Sequence, residues 1–204
     1  MKVWKKYEEY LIKGEWHIHT NYTDGENSVA ELCERAQNIG IPLIAFTEHV
    51  RKNITYDFSG LLNAIDSAKE QYDLIILSGC EAKVLPDGDL DVDPEILKEV
   101  DYPIFAYHSF PKDIDIYVKS LKHVLKNMDV CTWAHPGAFL KRYELNLPEK
   151  ELETIFALMN KYDILLETNI KYNLPEKKWE EIASEYNVQF VRGSDIHNIE
   201  RLKA

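Results

Sequence analysis

Short apolar runs and amphipathic stretches alternate along this chain. Glu15 to His19 reads as a strand. Ser28 and Glu31 then make a capping box, since the serine hydroxyl can accept from the amide three residues on while the glutamate reaches back. The helix it opens carries Val29, Leu32, Cys33 and Ala36 on one face, and Gly40 and Pro42 end it. Leu43 to Phe46 is the next apolar strand. A helix from Phe58 to Tyr72 follows, with Leu61, Leu62, Ile65 and Ala68 aligned. Leu74 to Leu77, Pro103 to Ala106, Val130 to Ala134, Ile164 to Leu166 and Val188 to Val191 supply the remaining strands. Helices are predicted over Ile114 to Lys126, Pro148 to Asn160 and Pro175 to Tyr186. Between the third and fourth strands, Val84 to Leu90 reads as a hairpin turning on Pro86-Asp87-Gly88.

Apolar strands interleaved with amphipathic helices imply a parallel sheet covered by helices. A compact barrel and a doubly wound open sheet both satisfy that pattern. No Gly-x-Gly-x-x-Gly follows the first strand, which weighs against a dinucleotide fold. At 204 residues, with 45% hydrophobic and 29% charged positions and no Pro/Gly/Ser-rich linker, the chain is expected to form one domain, 1–204.

The histidines change the picture. Six of the seven lie within or just past the C-terminal end of a predicted strand. His17 and His19 end the first strand, where alternation puts both rings on one face. Glu48-His49 follows the second, Cys80-Glu81 the third, His108 the fourth, His135 the fifth and Asp195-x-His197 the seventh. Asp24 sits in the first strand-to-helix loop. In a closed barrel all of these ends meet on one rim, where such folds keep their chemistry. The seventh histidine, His123, lies in a helix among lysines and reads as a surface residue.

Charge narrows the function classes. Asp plus Glu number 35 against 24 Lys plus Arg, a formal −11, and no basic stripe is visible, which argues against tracking long nucleic acid. The acidity reads as a solvated surface with some carboxylates kept for cations. Cys33, Cys80 and Cys131 are odd in number, lack zinc-ribbon spacing and read as buried thiols in a reducing compartment. Met1 to Lys13 has no apolar h-region, and no run approaches about 18 apolar residues, so a cytoplasmic protein outside any membrane is expected.

The motifs themselves resemble a family. His17-Ile-His19-Thr20 with Asp24-Gly25 is similar to the opening motif of the polymerase-and-histidinol-phosphatase (PHP) superfamily. Thr47-Glu48-His49 resembles its second motif, with Glu48 where Asp is usual. Gly79-Cys80-Glu81 resembles its bridging-glutamate motif. Tyr107-His108-Ser109, Ala134-His135-Pro136 and Gly193-Ser194-Asp195-Ile196-His197 resemble the rest. The hairpin after Glu81 is similar to the PHP domains of bacterial X-family DNA polymerases and of small stand-alone relatives. The resemblance implies a distorted (β/α)7 barrel, TIM-like, with two or three divalent metal ions at the C-terminal ends of the strands. The first ion would take His17, His19, Glu81 and Asp195. The second would share Glu81 and add His108 and His135, and the third would take Asp24, His49 and His197. Glu81, Asp195 and His197 are the candidate catalytic residues.

Imidazole and carboxylate ligands without thiolate suit Zn, Mn or Fe. A bridging carboxylate such as Glu81 can hold two ions about 3.5–4 Å apart, and a hydroxide bridging them would be the nucleophile. Three divalent ions against Asp24, Glu81 and Asp195 leave about three positive charges, which favours an anionic substrate. Arg51 and Arg142 are the preferred substrate-binding cations, ahead of Lys52, Lys83 and Arg192. Tyr22, Tyr107 and Phe139 are candidate pocket walls, and Glu167-Thr168-Asn169 a candidate substrate contact. The expected reaction is hydrolysis of a small phosphomonoester. The alternatives are a phosphodiesterase or 3′–5′ exonuclease on nucleotides or a short oligonucleotide, an amidohydrolase, and a non-catalytic module that regulates a partner.

Overall fold

A computed structural model describes residues 2–204, so Met1 of the expected domain lies outside it. Its strands are β1 (Glu15–Ile18), β2 (Leu43–Val50), β3 (Ile75–Lys83), β4 (Tyr102–Ala106), β5 (Thr132–Trp133), β6 (Leu165–Thr168) and β7 (Phe190–Arg192). The helices are α1 (Val29–Ile39), α2 (Phe58–Gln71), α3 (Pro94–Glu99), α4 (Ile114–Asn127), α5 (Ala138–Arg142), α6 (Glu149–Lys161) and α7 (Lys177–Glu185). Two 3-10 helices, Val3–Tyr10 and Ile199–Arg201, flank them.

The strands lie side by side in sequence order, every neighbouring pair parallel. The ends of that order then meet. Ile18 bridges Ile196 in parallel, with the His19 N–H donating to the Ile196 carbonyl at 2.8 Å and the Ile196 N–H to the His17 carbonyl at 3.0 Å. The sheet is thereby a nearly closed, distorted TIM-like (β/α)7 barrel, and the open-sheet alternative falls.

Local chemistry accounts for the element boundaries. The Ser28–Glu31 capping box is present, and Gly40 ends α1 at φ 78°, a left-handed conformation that glycine adopts without a Cβ clash. Asp57, Asp93 and Asp113 cap α2, α3 and α4 with their carboxylates. The hairpin forms as expected, with Val84 bridging Leu90. Its Gly88, at φ 93°, lies so close to α4 that a Cβ there would stand 2.6 Å from the Cβ of His123.

Two strands outrun their predicted ends. Thr47 to Val50 pairs residue for residue with Gly79 to Ala82, so His49 and Glu81 sit within ladders rather than beyond them. β1 carries an irregularity instead. Three residue steps from Glu15 to Ile18 oppose two from Ile44 to Phe46, which is one extra residue on β1. All four β1 residues are buried. Trp16 packs against Tyr102 in the barrel floor at 4.9 Å between ring centroids, and His17 next to it also faces inward.

The floor is apolar. Leu43, Leu77, Tyr102, Ile104, Leu165 and Val191 close on Trp16, with Trp4 beneath. Burying side chains of this size stabilises the fold by about 1.5–3 kcal/mol each. Two further apolar layers lie between strands and helices. Among the described residues, no helix is long and apolar enough to cross a membrane.

Candidate metal centre

All nine candidate ligands meet at the C-terminal mouth. His17 Nε2 and His19 Nε2 stand 3.0 Å apart. Asp195 Oδ1 lies 3.8 Å from the first and 3.3 Å from the second. Asp24 Oδ2 lies 3.4 Å from His49 Nε2 and 3.2 Å from His197 Nε2. Glu81 is central. Its Oε1 is 2.9 Å from His135 Nε2 and 3.3 Å from His108 Nε2, and its Oε2 is 2.8 Å from His49 Nδ1. Two atoms that each sit about 2.1 Å from one ion stand roughly 3.0–3.5 Å apart, so most of these spacings suit shared cations.

The grouping differs in detail from the expected one. His19, Asp24, His49 and His197 form one set; His17, His19 and Asp195 a second; His49, Glu81 and His108 a third. His19 and His49 therefore each stand between two sets. His135 is in none of the three sets; its Nε2 meets Glu81, and its ring lies 5.8 Å from that of His17 and 5.5 Å from that of His108.

The donors fit a divalent cation. His49 Nδ1 and Glu81 Oε2 are buried and close, yet neither makes a hydrogen bond, and His19 Nδ1 and His108 Nδ1 are likewise unpartnered. A buried polar atom left that way costs about 1–3 kcal/mol unless something else satisfies it. Burial pushes His19 down to about 4, so its ring is neutral, the form that ligates a metal. Burial would raise the Glu81 carboxyl, but His108, His135 and His17 hold it well below the usual range.

Behind the nine lies a layer that the motifs only partly disclosed. Glu167 accepts from His17 Nδ1 at 2.7 Å, from the His135 amide at 2.9 Å and from Asn169 Nδ2 at 2.7 Å. Burial would lower the His17 pKa, and Glu167 raises it, as a carboxylate behind a ligating imidazole does. Glu167 is thus turned inward against ligands, not toward a substrate as one reading of its strand end had it. Glu48 accepts from the Thr20 amide at 2.6 Å and from the Thr23 hydroxyl, which pins the loop carrying Asp24. Glu15 accepts from the Ser194 amide at 2.6 Å and hydroxyl at 2.8 Å, beside Asp195. Burial raises Glu15 to about 7.

A cavity of about 190 Å³ opens over the cluster. Six of the nine candidates line it, together with Arg142, Lys171, Tyr172, Tyr107 and Phe139. Of the two expected substrate-binding cations, Arg142 lines the cavity. Arg51 is not among the lining residues, because the hairpin's Asp91 takes up its charge at 3.8 Å and that of Lys83 at the same distance. Arg192 is turned to Glu15, and Tyr22 packs in an outer apolar layer. Lys171 and Tyr172 went unnoticed in the sequence. They donate to Asp195 Oδ2 at 2.6 and 2.9 Å, and no strand-end motif marks them. His123 is half-exposed on α4, as expected.

Known proteins resemble this chain in sequence and in fold. The family model described as "PHP domain" matches residues 15–171. The DNA polymerase/3'-5' exonuclease PolX of Bacillus subtilis is 31% identical over 205 residues, 94% of this chain and 35% of that protein. A Clostridium acetobutylicum protein named "Probable phosphatase" is 31% identical over 63% of this chain and 54% of its own length. The chain therefore spans about a third and about half of these two relatives. Among solved structures, histidinol phosphate phosphatase of Lactococcus lactis, complexed with zinc, L-histidinol and phosphate, superposes with a TM-score of 0.70 at 17% identity, covering 92% of this chain and 87% of that one.

Proposed function

The chain belongs to the PHP family, and from that premise we propose that it hydrolyses phosphate esters in a metal-dependent way, with small phosphomonoesters as its substrates. One observation carries the reading: nine imidazole and carboxylate side chains, spread from His17 to His197, gather at one end of the barrel, and six of them line a cavity that also has an arginine in its wall. The nine would hold two or three ions of Zn, Mn or Fe. Such ions, when bound, supply Lewis-acid charge and lower the pKa of water.

The protein's own groups divide the remaining work. Arg142 would bind the phosphate by a forked pair of hydrogen bonds. Phe139 and Tyr172 narrow the cavity and limit its water. Glu81, Asp195 and His197 are the proposed catalytic residues, since Glu81 lies within 3.8 Å of five of the imidazoles and Asp195 and His197 line the cavity. A cavity of about 190 Å³ suits a phosphate with a small leaving group. The zinc, histidinol and phosphate held by the Lactococcus protein support a ligand of that class. The three buried free cysteines suit a reducing compartment such as the cytoplasm.

A second reading, 3′–5′ exonuclease on short oligonucleotides, is favoured by the likeness to PolX across 94% of the chain. A phosphate-release screen over metabolite monoesters, dinucleotides and short oligonucleotides, with Mn, Zn or Fe added, separates the two. Free phosphate from a monoester is expected, abolished by a chelator that also lowers the melting temperature. Mononucleotide release without monoesterase activity would transfer the assignment to the second reading.

A further inference from the structure

Three carboxylates outside the nine are buried around the cluster: Glu15 and Glu48 at 0% exposure and Glu167 at 1%. A buried carboxylate is costly unless a cation or strong donors accompany it. Among the described residues, neither Glu48 nor Glu167 has a lysine or arginine within ion-pair distance, and Glu15 has only Arg192, at 3.5 Å. What they share is attachment to ligand-bearing backbone or rings. Glu15 holds Ser194, next to Asp195. Glu48 holds Thr20 and Thr23, which bracket the turn between His19 and Asp24. Glu167 holds the His17 ring and the His135 amide.

We infer that Glu15, Glu48 and Glu167 form an outer ring of counter-charge for the metal centre, orienting its ligands and offsetting the cations from behind. The inference rests on the metal-dependent reading of the site. Three divalent ions would bring six positive charges, of which Asp24, Glu81 and Asp195 return three; the outer carboxylates, ionised in the field of those cations, would return up to three more. A filled centre is then closer to neutral, and the pull on an anionic substrate falls to the cavity-lining Arg142, since Lys171 is already paired with Asp195.

Hydrogen bonding alone does not call for glutamate at these positions. In each case one oxygen meets a backbone amide, and the other meets a hydroxyl or an imidazole that can reverse its role. A glutamine could keep both contacts and would avoid burying a charge. Replacement by glutamine therefore removes charge with little loss of hydrogen bonding. At position 167 it also frees the His17 ring to change tautomer, which would place a proton on the nitrogen facing Asp195.

The test is to make Glu15→Gln, Glu48→Gln and Glu167→Gln separately. Zinc and manganese affinity is read by competition with a chromophoric chelator, and thermal unfolding is followed on metal-free protein. Each variant is expected to bind the ions about 10–100-fold more weakly while its metal-free melting temperature holds or rises. Thr23→Val removes a hydrogen bond from Glu48 and one from Asp24 but leaves the charge, so its affinity should fall by less than that of Glu48→Gln. Parallel falls in affinity and metal-free melting temperature, or a Thr23→Val loss equal to that of Glu48→Gln, would make these residues ordinary struts and overturn the inference. Unchanged affinity in all three Gln variants would overturn it too. A wild-type protein that binds neither ion would bring down the metal-dependent reading as well, which keeps the two failures apart.

Discussion

The two ends of the barrel are built from the same strands and share almost nothing chemically. Inward positions on β3 run from Leu77 through Gly79 to Glu81, those on β2 from Leu43 through Ala45 and Thr47 to His49, and those on β4 from Tyr102 through Ile104 and Ala106 toward His108. Each begins in the apolar floor and ends in the polar mouth. The fold is anchored where hydrocarbon meets hydrocarbon, and that anchorage lets the other end hold six fully or nearly fully buried ionisable groups: Glu15, His17, His19, Glu48, Glu81 and Glu167. Stability and chemistry are thus separated along the barrel axis.

That separation can be broken at either end. Glu81→Gln should cost at least about 100-fold in phosphate release and reduce bound metal, while urea unfolding of the metal-free protein changes little. Near-full activity would remove Glu81 from the centre of the site. In the floor, Ile104→Ala should destabilise by about 2–5 kcal/mol in urea, with metal affinity within about threefold of wild type. A metal loss as large as that of Glu81→Gln would show the two ends to be coupled. At the cavity wall, Arg142→Met should raise KM for a monoester about tenfold with metal content intact. An unchanged KM would exclude the arginine from phosphate binding. Away from both ends, His123→Ala should shift stability by no more than about 0.5 kcal/mol and leave turnover alone. A large loss of turnover would mean that α4 takes part in the site.

The same axis explains what could be read from the sequence. The nine candidate ligands were legible because metal-binding side chains are rare in apolar strands, and they recur here at one end of nearly every strand. Helix starts were legible where a capping serine or aspartate precedes an amphipathic run. The short helices were not: α3 and α5 have six and five residues, too few for a helical period to register. β5 was expected over five residues, yet only Thr132 and Trp133 form its ladder, and Cys131 and Ala134 bond to β4 outside it. The extra residue in β1 was hidden because all four of its positions are buried, which erases the alternation that would have revealed it. Glu167 looked like a strand end with an open role. Its inward turn depends on His17, 150 residues away, and no local pattern carries that. Lys171 and Tyr172 escaped for the same reason, since their partner Asp195 lies beyond the end of the next strand.

The β1–β7 seam has an effect on how the protein comes into being. Its two hydrogen bonds use the backbone of His17 and His19 on one side and Ile196 on the other. As the chain leaves the ribosome, seven of the nine candidate ligands are already synthesised, but the staves of this barrel cannot be hooped until Asp195, Ile196 and His197 arrive. Shutting the seam and completing the reactive centre are therefore one event, and a half-made chain has no finished site with which to act.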